Sequence, residues 1–299
     1  MGFYSQAGYL NMTYTTLIST TDLNKNIENE NWRIVDCRFD LVKAEKGPQM
    51  YEESHLPHAV YANLEEDLTG PVIEGTTGRH PLPELSEFTQ VLSSWGVDDS
   101  IQVIAYDNLG GMIAARLWWM LRWLGHEKVA VLDGGWKKWI EERRPVNREI
   151  EVPATRRFVA REQLHLLANA EETAEATQNN QKCLLDARSA DRYRGENETF
   201  DVKAGHIPNA TSAPCMSNLS SNGCFSDQET LREHYSSLLN GVESKDTIVY
   251  CGSGITAAHD VLAILHAGLG DCKLYPGSWS HWITDPARPI AVGSSPAGE

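Results

Sequence analysis

The chain has 299 residues, enough for two ordinary domains or one large α/β domain. Hydrophobic residues make up 41% and charged residues 22%, the balance of a folded protein, and no apolar run approaches the roughly 18 residues that a membrane helix needs. A formal net charge of −15 argues against an extended basic surface, so neither nucleic acid nor an anionic membrane is an expected partner.

Residues 1–12 lack the basic n-region and apolar core of a secretory signal, and Met12 is as good a start as Met1. The six cysteines include no C-x-x-C pair and no histidine spacing that would hold zinc. They predict free thiols, no metal and a reducing, cytoplasmic setting. The first predicted strand carries Ile34-Val35-Asp36-Cys37-Arg38, followed by His55-Leu56-Pro57-His58-Ala59. The strand Val103-Ile104-Ala105-Tyr106-Asp107 then leads into a helix over 112–124 that stops at Gly125, and Gly134-Gly135-Trp136-Lys137-Lys138-Trp139 follows. A charged stretch with two prolines, within 141–157, reads as a linker.

Beyond the linker the same signals return in the same order. Leu184-Leu185-Asp186-Ala187-Arg188 matches the first strand, His206-Ile207-Pro208-Asn209-Ala210 the histidine motif, Thr247-Ile248-Val249-Tyr250-Cys251 the second strand and Gly277-Ser278-Trp279-Ser280-His281-Trp282 the tryptophan motif. The chain is therefore read as two copies of one α/β domain, 14–147 and 158–295, each with a parallel-sheet core flanked by helices on both faces. In the second copy strands are expected over 182–186, 247–251 and 273–275, and a helix over 255–266 that Gly268 stops.

Cys251 ends a predicted central strand just before a helix, where open α/β sheets bind ligands. Glycines at 252 and 254 let the turn from Gly252 through Ser253, Gly254 and Ile255 to Thr256 aim its amides at the sulfur, and the helix dipole adds to them. Both effects favour thiolate, the nucleophilic form. Cys37, Cys183 and Cys272 read instead as small buried hydrophobes. The counterpart of Cys251 is Asp107, which an apolar core slot would seldom accept, so this position is expected to face water or a pocket in both copies. A cysteine phosphatase would need an arginine where this chain has Ala257, and Gly252-Ser253-Gly254 lacks the spacing of a serine nucleophile elbow.

The stretches "CGSGITAAH", "DARSADRYRG", "GHIP" and "YPGSWSHW", with "DCRFDL", "HLPHAVYANLEEDLTGP" and "GRHPLP" in the first copy, resemble the tandem-domain rhodanese family, and more closely its 3-mercaptopyruvate sulfurtransferase branch. The resemblance covers about residues 14–292. It implies two rhodanese-like domains of which only the second is catalytic, without a cofactor. Cys251 would take a sulfur from a small-molecule donor as a persulfide and pass it to a thiol, cyanide or a thioredoxin-like reductant. Neutral Gly252 and Ser253 point to 3-mercaptopyruvate, since thiosulfate-selective relatives carry basic residues there; a thiosulfate:cyanide sulfurtransferase and a persulfide relay protein are the alternatives. Ser253 would relay a proton or hold the donor sulfur. Arg192 would grip the donor carboxylate. A second family arginine normally lies nine residues further on; this chain departs there, and the segment 196–204 before "GHIP" offers only Lys203 as a substitute charge. His80 and Glu65 match first-copy positions that reach across to the serine as a proton relay. Asp186 with Arg188 reads as a structural pair, His206 as architectural, and the paired tryptophans as helix-to-sheet packing.

Overall fold

A computed structural model describes residues 13–296; the reading of residues 1–12 lies outside the described part. In the first copy, strands β1 (Leu17–Ile18), β2 (Trp32–Asp36), β3 (Ala59–Tyr61), β4 (Gln102–Tyr106) and β5 (Val129–Leu132) form an all-parallel sheet of order β1-β5-β4-β2-β3. In the second, β6 (Cys183–Asp186), β7 (Ala210–Ser212), β8 (Thr247–Tyr250) and β9 (Lys273–Leu274) give the order β7-β6-β8-β9. A parallel bridge from Leu167 to Leu274 occupies the place of β1. The repeat read from sequence is thus a repeat of topology.

Helices α1 (Thr20–Lys25), α2 (Lys46–Glu53), α3 (Leu85–Ser94), α4 (Ala114–Trp123) and α5 (Gly135–Glu141) belong to the first copy. The second carries α6 (Ala170–Ala176), α7 (Ala190–Arg194), α8 (Gln228–Leu239), α9 (Ala257–His266) and α10 (Ser278–Trp282). Ser19, Asn169 and Asp227 cap α1, α6 and α8 with side-chain oxygens, as helix starts require. Strand periodicity assigns the layers. Ile34, Ile104 and Leu132 pack with Leu23, Tyr51 and Trp139 on the outer face, while Val35, Val103 and Val131 join Phe88 and the residues of α4 on the inner one. In the second sheet Leu184 and Ile248 pack with Trp279 and Trp282, and Leu185 and Val249 with Leu231 and α9.

The two inner faces share one hydrophobic core, because α4 and α9 pack on each other. This is why "LWWMLRWL" is apolar all round: one side meets its own sheet and the other meets the second domain. The loops after β3 and β7 are exchanged in a reciprocal way. Gly78 and Arg79, after β3, lie against Gly277 and Ser280 of the second copy. Leu219 and Phe225, after β7, cover Gly110 and Gly111 of the first. Each domain lids the strand-to-helix loop of the other.

Asp36 with Arg38 and Asp186 with Arg188 form buried ion pairs beside the strand ends, the structural role expected of the latter. His55 and His206 stack on Tyr51 and Tyr193 and bond to their carbonyls, again in matching places. Cys37, Cys183 and Cys272 are buried in the core.

Candidate active site

The loop after β4 shows what this corner of the fold does with a negative group. Asp107 is fully buried, and its two carboxylate oxygens accept four main-chain N–H groups, from Leu109, Gly111, Ile113 and Ala114, at 2.8–2.9 Å. Helix α4 has no side-chain cap at its own N-terminus; Asp107 supplies it from across the turn. The expectation that this position faces water or a pocket is overturned. The loop after β7 closes over it, and main-chain donors rather than solvent satisfy the carboxylate.

Cys251 occupies the same corner of the second copy and is 2% exposed, so it too sits beneath a cover. Its own amide donates to Ser278 Oγ (3.0 Å), and its sulfur accepts from the Gly254 amide (3.1 Å). The expected ring of amides is thus one amide at the bare sulfur. Gly254 achieves this with φ +79 and with Pro276 O only 2.3 Å from where a Cβ would stand, so no other residue fits. Ile255 is buried, and Thr256 opens α9 with its side chain bonded to Cys215 rather than to Cys251. Cys251 is counted in the shared hydrophobic core, but guanidinium groups stand on its loop: Arg79 and Arg192 lie against Gly252, and Arg116 donates to the Gly254 carbonyl. Burial and the neighbouring charge of Arg192 lower the Arg79 guanidinium.

Neither Arg79 nor Arg116 was singled out from the sequence. Arg116, on α4, is 1% exposed and donates to the carbonyls of Leu68, His80 and Pro81 in its own domain and to Gly254 in the other. Burial pulls it down to about 10, so it keeps its charge at neutral pH. Among the described residues no carboxylate pairs with it. An arginine in the first turn of a helix whose other residues, Arg122 apart, are apolar was the available signal. Ser278 was also missed. It sits at φ 53, where the first copy has Gly135 at φ 52, and a non-glycine residue there is uncommon. Its hydroxyl accepts from the Cys251 amide, donates to Tyr275 O and lies 4.0 Å from the sulfur.

His80 and Ser253 come together across the domain boundary, with Nδ1 2.8 Å from the serine oxygen. Burial, then the charges of Arg116 and Arg79, push His80 down to about 3, so the imidazole is neutral at physiological pH. Glu65 is exposed at the rim of a pocket of about 510 Å³ that His80 and Arg79 also line. Its amide donates to Asn63, and among the described residues no hydrogen bond joins it to His80, which corrects the expected relay at its outer end.

Arg192 reaches the loop as expected but is already engaged: Nε and Nη2 donate to Glu198 and Nη2 also to Asp201. Lys203 is fixed through its main chain. Its carbonyl accepts the Trp279 indole N–H, and no hydrogen bond or ion pair joins its side chain to Cys251 or Arg192 among the described residues. The residue nine positions after Arg192 is Asp201, which pairs with Arg79 of the first domain. The second guanidinium therefore arrives from the other copy.

Two parallel-sheet domains, each ending its central strand in a covered loop, one holding a carboxylate and the other a cysteine, define a class of tandem α/β proteins whose two copies differ at this one corner. The family model for the rhodanese-like domain matches residues 19–142 and again 169–285. The chain belongs to the rhodanese family. It is 40% identical to a Pseudomonas aeruginosa protein named "Probable 3-mercaptopyruvate sulfurtransferase", over 94% of this chain and all of that one. It is 31% identical to the thiosulfate sulfurtransferase of Cricetulus griseus, over 94% and 97%. Among solved structures, the 3-mercaptopyruvate sulfurtransferase from Leishmania major superposes with a TM-score of 0.77 at 28% identity, over 89% of this chain and 73% of that one.

Proposed function

We propose that the protein is a sulfurtransferase that moves sulfur from 3-mercaptopyruvate to a thiol or cyanide through a persulfide on Cys251, the second domain being the catalytic one. The observation that carries this reading is the positive charge on the cysteine loop: the Gly254 amide donates to the sulfur, Arg79 lies against Gly252, and Arg116, buried without a carboxylate partner, donates to the Gly254 carbonyl. Such an arrangement is costly unless negative charge resides or develops on that sulfur.

In the first half-reaction the Cys251 thiolate attacks the donor sulfur. The Sγ–S bond forms, the donor C–S bond breaks, and its electron pair leaves on the enolate of pyruvate, which takes a proton to become pyruvate. In the second, an acceptor thiolate or cyanide attacks the outer sulfur and the electron pair of the S–S bond returns to Cys251. Neutral His80, hydrogen-bonded through Nδ1 to the Ser253 oxygen, orients that oxygen toward the reacting sulfur. The outer sulfur lies one bond beyond Sγ, as the Asp107 oxygens lie one bond beyond Cγ. The four amides on Asp107 support a loaded state in which the loop amides turn to the outer sulfur.

Neutral Gly252 and Ser253 favour 3-mercaptopyruvate over thiosulfate as donor. A thioredoxin-like protein is the reductant we infer, and six free thiols fit a reducing compartment such as the cytoplasm. Among the described residues no helix is long and apolar enough to cross a membrane. The test is pyruvate release from 3-mercaptopyruvate measured beside thiocyanate formation from thiosulfate and cyanide. Efficient pyruvate release that Cys251→Ser abolishes is the expected result. Thiocyanate alone would mark a thiosulfate enzyme, failure of both donors a relay protein, and turnover surviving in Cys251→Ser would overturn the mechanism.

A further inference from the structure

Gly252, next to the cysteine, has an unusual ceiling. A Cβ built on it would stand 2.9 Å from Arg79 Nη2 and 3.3 and 3.4 Å from Arg192 Nη2 and Nη1. The two guanidinium groups therefore lie side by side over the cysteine loop, one from each domain. Their hydrogen bonds are divided in a definite way. Glu198 takes Nε and Nη2 of Arg192, and Asp201 takes Nη2 of Arg192 and Nη1 of Arg79. Arg192 Nη1 and Arg79 Nη2 have no acceptor among the described residues, and both are nitrogens that lie against Gly252. Phe200, stacked beneath both arginines at 5.0 and 6.0 Å, adds a wall on the outer side. Glu198 and Asp201 are themselves almost fully buried, so they are fixed parts of the site rather than passing surface partners.

We propose that Arg79 is the second arm of the donor-carboxylate seat: with Arg192 it forms a guanidinium pair assembled across the two domains, and Glu198 and Asp201 are positioning residues that turn its free N–H groups toward Cys251. The proposal rests on the reading of the donor as a thiol carrying a carboxylate. A planar carboxylate placed above Gly252 accepts one N–H from each arginine, which directs its sulfur-bearing carbon toward the loop. The acid at position 201 is then the complement of an arginine imported from the neighbouring domain.

The test compares wild type, Arg79→Gln and Arg79→Lys with 3-mercaptopyruvate and with 1-mercaptopropan-2-one, in which a methyl group replaces the carboxylate. A second readout needs no turnover: protection of Cys251 by pyruvate against iodoacetamide. In Arg79→Gln the ratio of kcat/KM for the two donors is expected to fall about tenfold, chiefly through KM, and the half-protecting pyruvate concentration to rise by a similar factor. Arg79→Lys, which keeps the charge and loses the fork, falls between. Equal losses on both donors, or unchanged KM and unchanged pyruvate protection in Arg79→Gln, would overturn the proposal. If wild type released no pyruvate from 3-mercaptopyruvate, the functional reading would fall, whereas the protection assay would still decide for or against the seat. Should Arg79→Gln fold poorly by its melting temperature, Arg79→Lys decides alone: wild-type pyruvate protection in it, with the fork lost, counts against the paired arrangement.

Discussion

Ser253 is separated from the nucleophile by one residue and is held by a histidine of the other domain, 2.8 Å away. Ser253→Ala removes the hydroxyl and leaves the buried imidazole without that partner. The expected outcome is a kcat for 3-mercaptopyruvate lowered by about 10²-fold, while alkylation of Cys251 by iodoacetamide slows far less, because the nucleophile and its Gly254 amide remain. At this scale the linear motifs were readable: Cys251, Ser253, Arg192 and His80 each stand in a short stretch whose residue types announce them. Arg79 stands beside His80 and was passed over, since its meaning depends on Asp201, far away in sequence. Arg116 was hidden by the apolar helix that carries it, and Ser278 by looking like an ordinary substitution for Gly135. All three depend on neighbours that only folding provides.

Helix α9 carries a second polar device on the face turned to the first domain. His259 is fully buried, its Nε2 donating to Gly110 O of the opposite loop and its Nδ1 accepting from Asn218, which also donates to Asp260. Burial pushes His259 down to about 4, against the smaller opposing effects of the Gly110 carbonyl and Asp107. The unfolded chain takes up this proton near pH 6.5, the folded one only near 4. Stability from the neutral ring is therefore complete above about pH 6.5 and is lost as pH falls toward 4, by about 1.4 kcal/mol per pH unit. Melting temperature measured from pH 7 to pH 5 should fall more steeply in wild type than in His259→Gln; parallel curves would contradict this. The elements themselves were largely legible. Strands β6, β8 and β9 and helices α4 and α9 fall inside the spans that periodicity and stop glycines predict, Gly125 and Gly268 adopting the left-handed backbone that ends each helix. The pairing of α4 with α9 was legible only as a helix apolar on every side.

Across the whole molecule the shared core makes the two copies one cooperative body. Leu262, fully buried on α9 within that core, tests this. Leu262→Ala is expected to cost about 2–5 kcal/mol and to shift a single calorimetric transition downward; a second transition left at the wild-type temperature would show two independent units. The internal repeat disclosed the architecture because both copies kept their strand ends and tryptophans. The exchange of lids could not be read in this way, since it is a relation between copies and leaves no periodic trace.

The carboxylate of Asp107 is tethered to its own loop and saturates four donors there. One lobe consequently has its strand-end corner already plugged by a group of its own chain. That permanence gives the working lobe an unchanging anvil. His80, Arg79 and Arg116 project from a half whose corner is permanently filled, so under the proposed mechanism the second half would cycle while these side chains stay still.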